Sequence, residues 1–250
     1  MFMSVIELGA GGQVFSDLAG ARVLITGLTS RSGVDVARAF AEHKARLVLQ
    51  SPESSPEMTE LATLLAETAA DIKFYNDPVQ SADEAVRLAQ NAAQVHGGLD
   101  AVINIAAFEN GDFAGMQTYT DVEDLVAAKL LPPTLITRVA ANRMRLMLTE
   151  GSILNVVTCD APKNERETAG AGIVRATLAS LTRGEAQAWA GEGIRINAIG
   201  PRGPAGAPPA GATLNSEPDI AVLALYLASR KGRQHSGHVF DADGASSRSH

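Results

Sequence analysis

The sequence predicts a single α/β domain: a parallel sheet, doubly wound, with helices on both faces. Three observations predict it. Short apolar runs such as Val23-Leu24-Ile25 and Leu47-Val48-Leu49 read as strands buried on both faces. Stretches with apolar residues at helical spacing alternate with such runs along the chain. The first run ends in Thr26-Gly27, and Gly33 opens the next helix. That strand, turn and helix order presents backbone N–H groups to an anion.

The elements follow in order. After the first strand, Val34, Ala37, Phe40 and Ala41 recur at helical spacing, and Leu47 to Leu49 forms the second strand. A helix follows Pro56, with Met58, Leu61, Leu64 and Leu65 on one face, and residues 72–75 form a third strand. Residues 81–96 read as a helix with Ala85, Leu88, Ala92 and Val95 inward, and residues 101–104 as a fourth strand. Residues 121–148 are helical but contain Pro132-Pro133, which should kink or split them. A fifth strand (153–157), a helix (170–190), a sixth strand (195–198), a helix (219–228) and a short last strand (238–240) complete the pattern. Residues 201–212, rich in Pro, Gly and Ala, read as a loop. Residues 1–14 read as an extension and residues 15–250 as one domain.

Composition narrows the function. Hydrophobic residues make up 46% and charged residues 20%, enough for a full core. Aromatics are only 4%, so that core is built from Ala, Val, Leu and Ile. A net charge of −7 argues against general nucleic-acid binding. No run of 18 apolar residues suggests a membrane span. Cys159 is the only cysteine, which excludes an internal disulfide and fits a reducing compartment. The five histidines show no metal-ligand spacing. Residues 1–12 lack the basic and apolar regions of a signal peptide. The expectation is a cytoplasmic protein without a metal site.

Five segments in order resemble the short-chain dehydrogenase/reductase family. They are Thr26-Gly27 with Gly33; residues 99–107, ending Asn104-Ile105-Ala106-Ala107; residues 151–158; residues 193–199 with Pro201; and residues 236–239 with Asp243-Gly244. The resemblance covers residues 15–246. It implies a Rossmann-like sheet of about seven strands, a nicotinamide dinucleotide (NADP or NAD), and a homodimer or homotetramer. It places the cofactor against Gly27, Ser30, Arg31, Ser32 and Gly33 of the front turn, and against Ser51, Asp77, Asn104, Ala106 and Pro201. Gln50, Ser51 and Pro52 offer no carboxylate for an NAD ribose. Arg31 could face a 2′-phosphate, which tilts the choice toward NADP.

The family's chemistry uses a tyrosine as proton donor, a lysine four residues later that lowers its pKa, a serine and an asparagine. A phenol of pKa near 10 is useful at neutral pH only beside a positive charge. Here Ala171 falls at the tyrosine, Arg175 at the lysine, Thr158 at the serine and Lys129 at the asparagine. The enoyl-acyl-carrier-protein reductase branch also tolerates a non-glycine at the Arg31 position. That branch puts its tyrosine seven residues before the lysine, where this chain has Thr168. Pro201 is followed by Arg202 rather than glycine, and residues 201–218 are short for a substrate cover.

Two functions follow from the resemblance. One is an NAD(P)-dependent oxidoreductase acting on a carbonyl or enoyl compound, with Thr158, Lys129 and Arg175 as the remaining polar groups. The other is a non-catalytic relative that binds a nucleotide or anion, or serves as the silent subunit of a hetero-oligomer. Arg31, Lys129, Arg175 and Arg202 together suggest a basic pocket for an anionic small molecule.

Overall fold

The structure, a computed structural model, describes residues 15–116, 118–160, 162–201 and 217–241. Among the described residues, seven strands form one sheet: β1 (Arg22–Thr26), β2 (Arg46–Gln50), β3 (Asp71–Tyr75), β4 (Ala101–Phe108), β5 (Ser152–Cys159), β6 (Arg195–Gly200) and β7 (Val239–Asp241). Their spatial order is β3-β2-β1-β4-β5-β6-β7, and every pair is parallel. The helices are α1 (Val34–Glu42), α2 (Pro56–Thr68), α3 (Ala82–Val95), α4 (Asn110–Ala114), α5 (Tyr119–Leu146), α6 (Glu165–Trp189) and α7 (Glu217–Ala228). The seven-stranded doubly wound sheet expected from the sequence is the one observed.

Side-chain alternation along the strands sorts the core into layers. Val23 and Ile25 of β1 face Val36, Ala37 and Phe40 of α1 and Ala224 and Leu225 of α7. Leu24, between them, faces the opposite layer with Val48, Val102, Ala89, Ala92, Ala140 and Ala141. Alanines let α3 and α5 lie close to the sheet. At the carboxyl end of the sheet a third cluster joins Phe108, Phe113, Val126, Leu130, Val157, Val174 and Leu178.

Local chemistry sets the helix starts. Ser81 accepts a hydrogen bond from the Glu84 amide while Glu84 accepts from the Ser81 amide. Ser55 caps α2, with Pro56 in the first turn. At the amino end of the sheet Arg22 makes a bidentate pair with Asp100, at 2.6 and 2.9 Å.

Several elements differ from the sequence reading. β4 runs on to Phe108 and β5 to Cys159, because their later residues stay paired up to Phe108↔Cys159. α6 starts at Glu165, where the Asn164 side chain caps it. Pro132-Pro133 does not split α5, which runs unbroken from Tyr119 to Leu146. The two missing N–H groups leave the carbonyls of Ala128 and Lys129 without helical partners. Burial of Val126, Leu130, Ile136 and Ala140 holds the helix across that gap. Leu64 and Val95, expected inside, are exposed. The short α4 was not anticipated. The 1–14 extension, residues 202–212 of the expected loop, Arg202 and Asp243-Gly244 lie outside the described residues.

Candidate active site

The sheet's winding reverses between β1 and β4, and ligands of such folds bind at the carboxyl ends of the strands there. A cleft of about 360 Å³ opens at that point, lined by Gly27, Gln50, Pro52, Ile105, Ala106 and Lys129, among others.

Gly27 makes the front turn possible. Its φ is +72°, and a Cβ there would run into the Ile105 carbonyl oxygen. Only glycine allows β1 to turn this close to β4. Gly33, at φ +89°, packs against the Ile105 and Leu28 side chains and opens α1. Between them the turn closes on itself: the Thr29 amide donates to the Ser32 carbonyl (2.9 Å), and the Ser32 amide to the Thr29 carbonyl (3.3 Å). The Arg31 amide donates to the Thr29 hydroxyl, and the Arg31 side chain is exposed. The Ser30 amide donates to the Glu53 carboxylate at 2.9 Å.

The second strand ends on Gln50, which is buried. Its Oε1 accepts from the Gly27 amide (2.9 Å) and its Nε2 donates to the Asp77 carbonyl (2.8 Å). Gln50 thereby pins the front turn to the segment after β3. Ser51, expected at the ribose, is fully buried, and its hydroxyl exchanges hydrogen bonds with the Glu53 backbone. Asp77 itself is exposed.

Asn104 is also buried, and protein atoms take up its side chain. Its Oδ1 accepts from the Thr26 hydroxyl (3.0 Å). Its Nδ2 faces Asn155 Oδ1 (2.8 Å), Thr137 Oγ1 (3.2 Å) and the Pro133 carbonyl (3.3 Å). Asn104 therefore ties β1, β4, β5 and α5 together beneath the cleft, and Ile105, Ala106 and Ala107 after it line the cleft.

At the mouth, Lys129 reaches from α5. Its ammonium donates to the Ala107 carbonyl (2.8 Å), pairs with Asp112 (2.5 Å) and lies over the Phe108 ring. Thr158 pairs with that same Ala107 across β4 and β5, so Lys129 and Thr158 flank one strand end. Arg175 stands apart from them. It forms an ion pair with the buried Asp241 of β7 and donates to the Pro201 carbonyl. Ala171 is buried. Next to it, a Cβ on Gly170 would meet the Phe113 ring of α4. Tyr119 is exposed at the start of α5, and Tyr226 contacts His235.

A family model described as enoyl-(acyl carrier protein) reductase matches residues 27–212, most of the chain. The chain belongs to the short-chain dehydrogenase/reductase family. Momilactone A synthase of Oryza sativa subsp. japonica is 28% identical over 91% of this chain and 90% of its own length. The mitochondrial borneol dehydrogenase of Lavandula x intermedia is 29% identical over 92% of each. An enoyl-acyl-carrier-protein reductase from Anaplasma phagocytophilum, solved with NAD, shares the fold with a TM-score of 0.72 at 22% identity. That match covers 93% of this chain and 94% of that one.

Within this short-chain dehydrogenase/reductase chain, the lining of the cleft suits the flat rings of a nicotinamide dinucleotide. Pro52, Val79 and Ile136 give apolar walls, and the exposed edge of β4 at Ala106 and Ala107 gives a flat floor. Outside that lining stands Glu217, the first described residue of α7. The backbone amides of Gly33, Val34 and Asp35, at the start of α1, lie near its carboxylate. Burial and the charge of Asp35 push its carboxyl above the ordinary range, and the three amides only partly offset this.

Of the four basic residues suggested as an anion pocket, Lys129 and Arg175 are each paired with a carboxylate, and Arg31 is exposed. Sequence reasoning missed Gln50, Glu53, Asp112, Glu217 and Asp241. A glutamate three positions beyond Gln50 was the available signal for Glu53. The pairing Gly200↔Asp241 is a long-range fact that no local pattern carries. No helix among the described residues is long and apolar enough to cross a membrane.

Proposed function

We propose that the chain is a nicotinamide-dinucleotide-dependent oxidoreductase acting on a small carbonyl or enoyl compound. The observation that carries this reading is the cleft at the sheet's reversal point, floored by Ala106 and closed behind by the Gly27 turn. The names of the momilactone synthase and borneol dehydrogenase relatives, and the NAD in the Anaplasma enzyme, support the same class of chemistry.

A bound nicotinamide supplies hydride transfer. This chain's part is to hold the cofactor and steady the substrate oxygen. Lys129 and Thr158, on either side of Ala107, are the polar groups suited to that oxygen. The Lys129 ammonium stabilises developing negative charge, and the Thr158 hydroxyl donates a hydrogen bond. With Ala171 in place of the tyrosine, the proton comes from water. NAD suits the turn better than NADP, reversing the tilt drawn from Arg31. The Glu53 carboxylate lies on the Ser30 amide, where it would repel a ribose 2′-phosphate.

One observation favours a second reading, a silent nucleotide-binding subunit. Arg175 is locked to Asp241 and Pro201, so it cannot serve as the family's lysine does. Binding and turnover separate the two. NAD and NADP are titrated against a melting-temperature readout, and NADH oxidation is followed with a panel of ketones and enoyl thioesters. Binding with turnover supports the first reading, and binding alone supports the second. No binding removes both.

Assembly through α5 and α6 into a homodimer or homotetramer is part of the same proposal. Ala176 is exposed on α6 and suits close contact, whereas Ala186 is buried in its own core. A monomer in light scattering would overturn it.

A further inference from the structure

At the amino end of the sheet, opposite the cleft, α5 closes in a turn that points three apolar side chains outward. Leu146 and Met147 are each 57% exposed, and Leu148 is 93% exposed. Leu148 also has φ +53°, a conformation that leucine rarely adopts. The turn is held by the backbone: the Met147, Leu148 and Thr149 amides donate to the Arg143, Arg145 and Met144 carbonyls. Within the folded chain Leu148 has almost no packing to offset its conformation. Three consecutive exposed apolar residues mark a contact surface. Arg143 and Arg145, in the last turn of α5, add positive charge beside them.

At the same end lies a cavity of about 370 Å³, lined by Asp17, Asp100, Glu150, Arg195, Arg230 and Arg233, among others. Glu150, two residues after Leu148, pairs with Arg233 at 2.8 Å and so ties the apolar turn to the cavity wall. The other carboxylates are engaged too: Asp100 pairs with Arg22, and Asp17 accepts from the Arg230 amide at 2.7 Å. The Arg195 guanidinium donates to the Leu227, Ala228 and Gly232 carbonyls. Among the described residues, neither it nor the Arg230 side chain has a carboxylate within ion-pair distance. Burial and the Arg233 charge push the Arg195 guanidinium below its ordinary range, against Glu150, so an anion here would relieve the crowded positive charge.

We propose that the amino end of the sheet docks on an anionic phospholipid surface, with Leu146, Met147 and Leu148 entering the apolar layer and Arg195 and Arg230 taking a headgroup phosphate. An apolar knob beside arginines matches the layered chemistry of such a surface, apolar below and anionic above. Docking this way keeps the cleft, at the carboxyl ends of the strands, turned to solution. The proposal does not depend on the cofactor reading.

The test is co-sedimentation with vesicles of phosphatidylcholine alone and of phosphatidylcholine with phosphatidylglycerol in equal parts. The unaltered protein is compared with Met147→Ser plus Leu148→Ser and with Arg230→Ala. All three side chains are exposed, so the variants should fold, and melting curves check this. The unaltered protein should sediment with the anionic vesicles and far less with the neutral ones. The double serine variant should bind the anionic vesicles about tenfold more weakly, the loss expected when apolar side chains no longer leave water. Arg230→Ala should weaken the same binding about fivefold, the share of one basic residue near an anionic surface. No binding to either vesicle, or equal binding to both, would overturn the proposal. So would calorimetric binding of glycerol phosphate without vesicle binding, which would make the cavity a site for a soluble anion. Light scattering that shows a dimer dissolved by the serine variant, again without vesicle binding, would give the turn to a second copy of the chain and overturn it as well.

Discussion

Replacing Asn104 by alanine separates a structural from a ligand-binding role for a residue that the family pattern puts at the cofactor. In the structure Asn104 accepts from Thr26 Oγ1 at 3.0 Å and donates toward Asn155, Thr137 and Pro133. On its removal Asn155 Oδ1 keeps the Thr137 hydroxyl, at 3.2 Å. The Thr26 hydroxyl and the Pro133 carbonyl lose the partners described above. A buried polar group left unbonded costs about 1–3 kcal/mol, so the two together should cost about 3–4 kcal/mol. For a chain of this size each kcal/mol lowers the melting temperature by about 2–4 °C, so a fall of roughly 6–15 °C is expected. Urea unfolding, followed by circular dichroism, gives the free energy directly. A loss below about 1 kcal/mol would refute the stitching role, since surface substitutions commonly stay within about 0.5 kcal/mol.

Three further outcomes follow. Gly27→Ala should lower stability by more than about 2 kcal/mol, because alanine at φ +72° is strained and its Cβ meets the Ile105 carbonyl; a neutral effect in denaturant titration would contradict this. Asp100 gives a pH dependence. Burial pushes its carboxyl up, but the hydrogen bonds and charge of Arg22 outweigh this and lower it. A lowered folded pKa means that the contribution is present above the unfolded value of about 3.9 and is lost as pH falls through the folded value. Asp100→Asn should flatten the stability curve in that acid window, and a curve as steep as before would count against the pair. Ala171→Tyr with Arg175→Lys restores the family's residue types. Ala171 is buried beside the Gly170 contact with Phe113, so the ring overpacks the site. A lower melting temperature and no gain in NADH turnover are expected; restored turnover would show that Phe113 yields.

The fold was legible because its signals are local. Val23 to Ile25, Leu47 to Leu49 and the glycines at 27 and 33 each announce their place by hydrophobic run or turn chemistry. The continuity of α5 was not, because Pro132-Pro133 is overridden by burial of residues on both sides of it. Within the site, position was easier to read than role. Lys129 donates to the carbonyl of Ala107, which is paired in register with Thr158. Arg175 reaches the Asp241 carboxylate, which is distant in sequence, and Ser51 turns inward. Such partners come from tertiary packing, which a single sequence does not display. Glu217 is the sharpest case. It lies 184 positions after Gly33 in the chain, yet it lies near the helix end that Gly33 opens.

The most direct measurement is a calorimetric titration of NAD into the unaltered protein, repeated with Ala106→Trp to fill the cleft floor. The proposed cofactor site predicts saturable one-site binding that the tryptophan abolishes while the protein stays folded. Undiminished binding to Ala106→Trp, or no NAD binding to the unaltered protein, would contradict it.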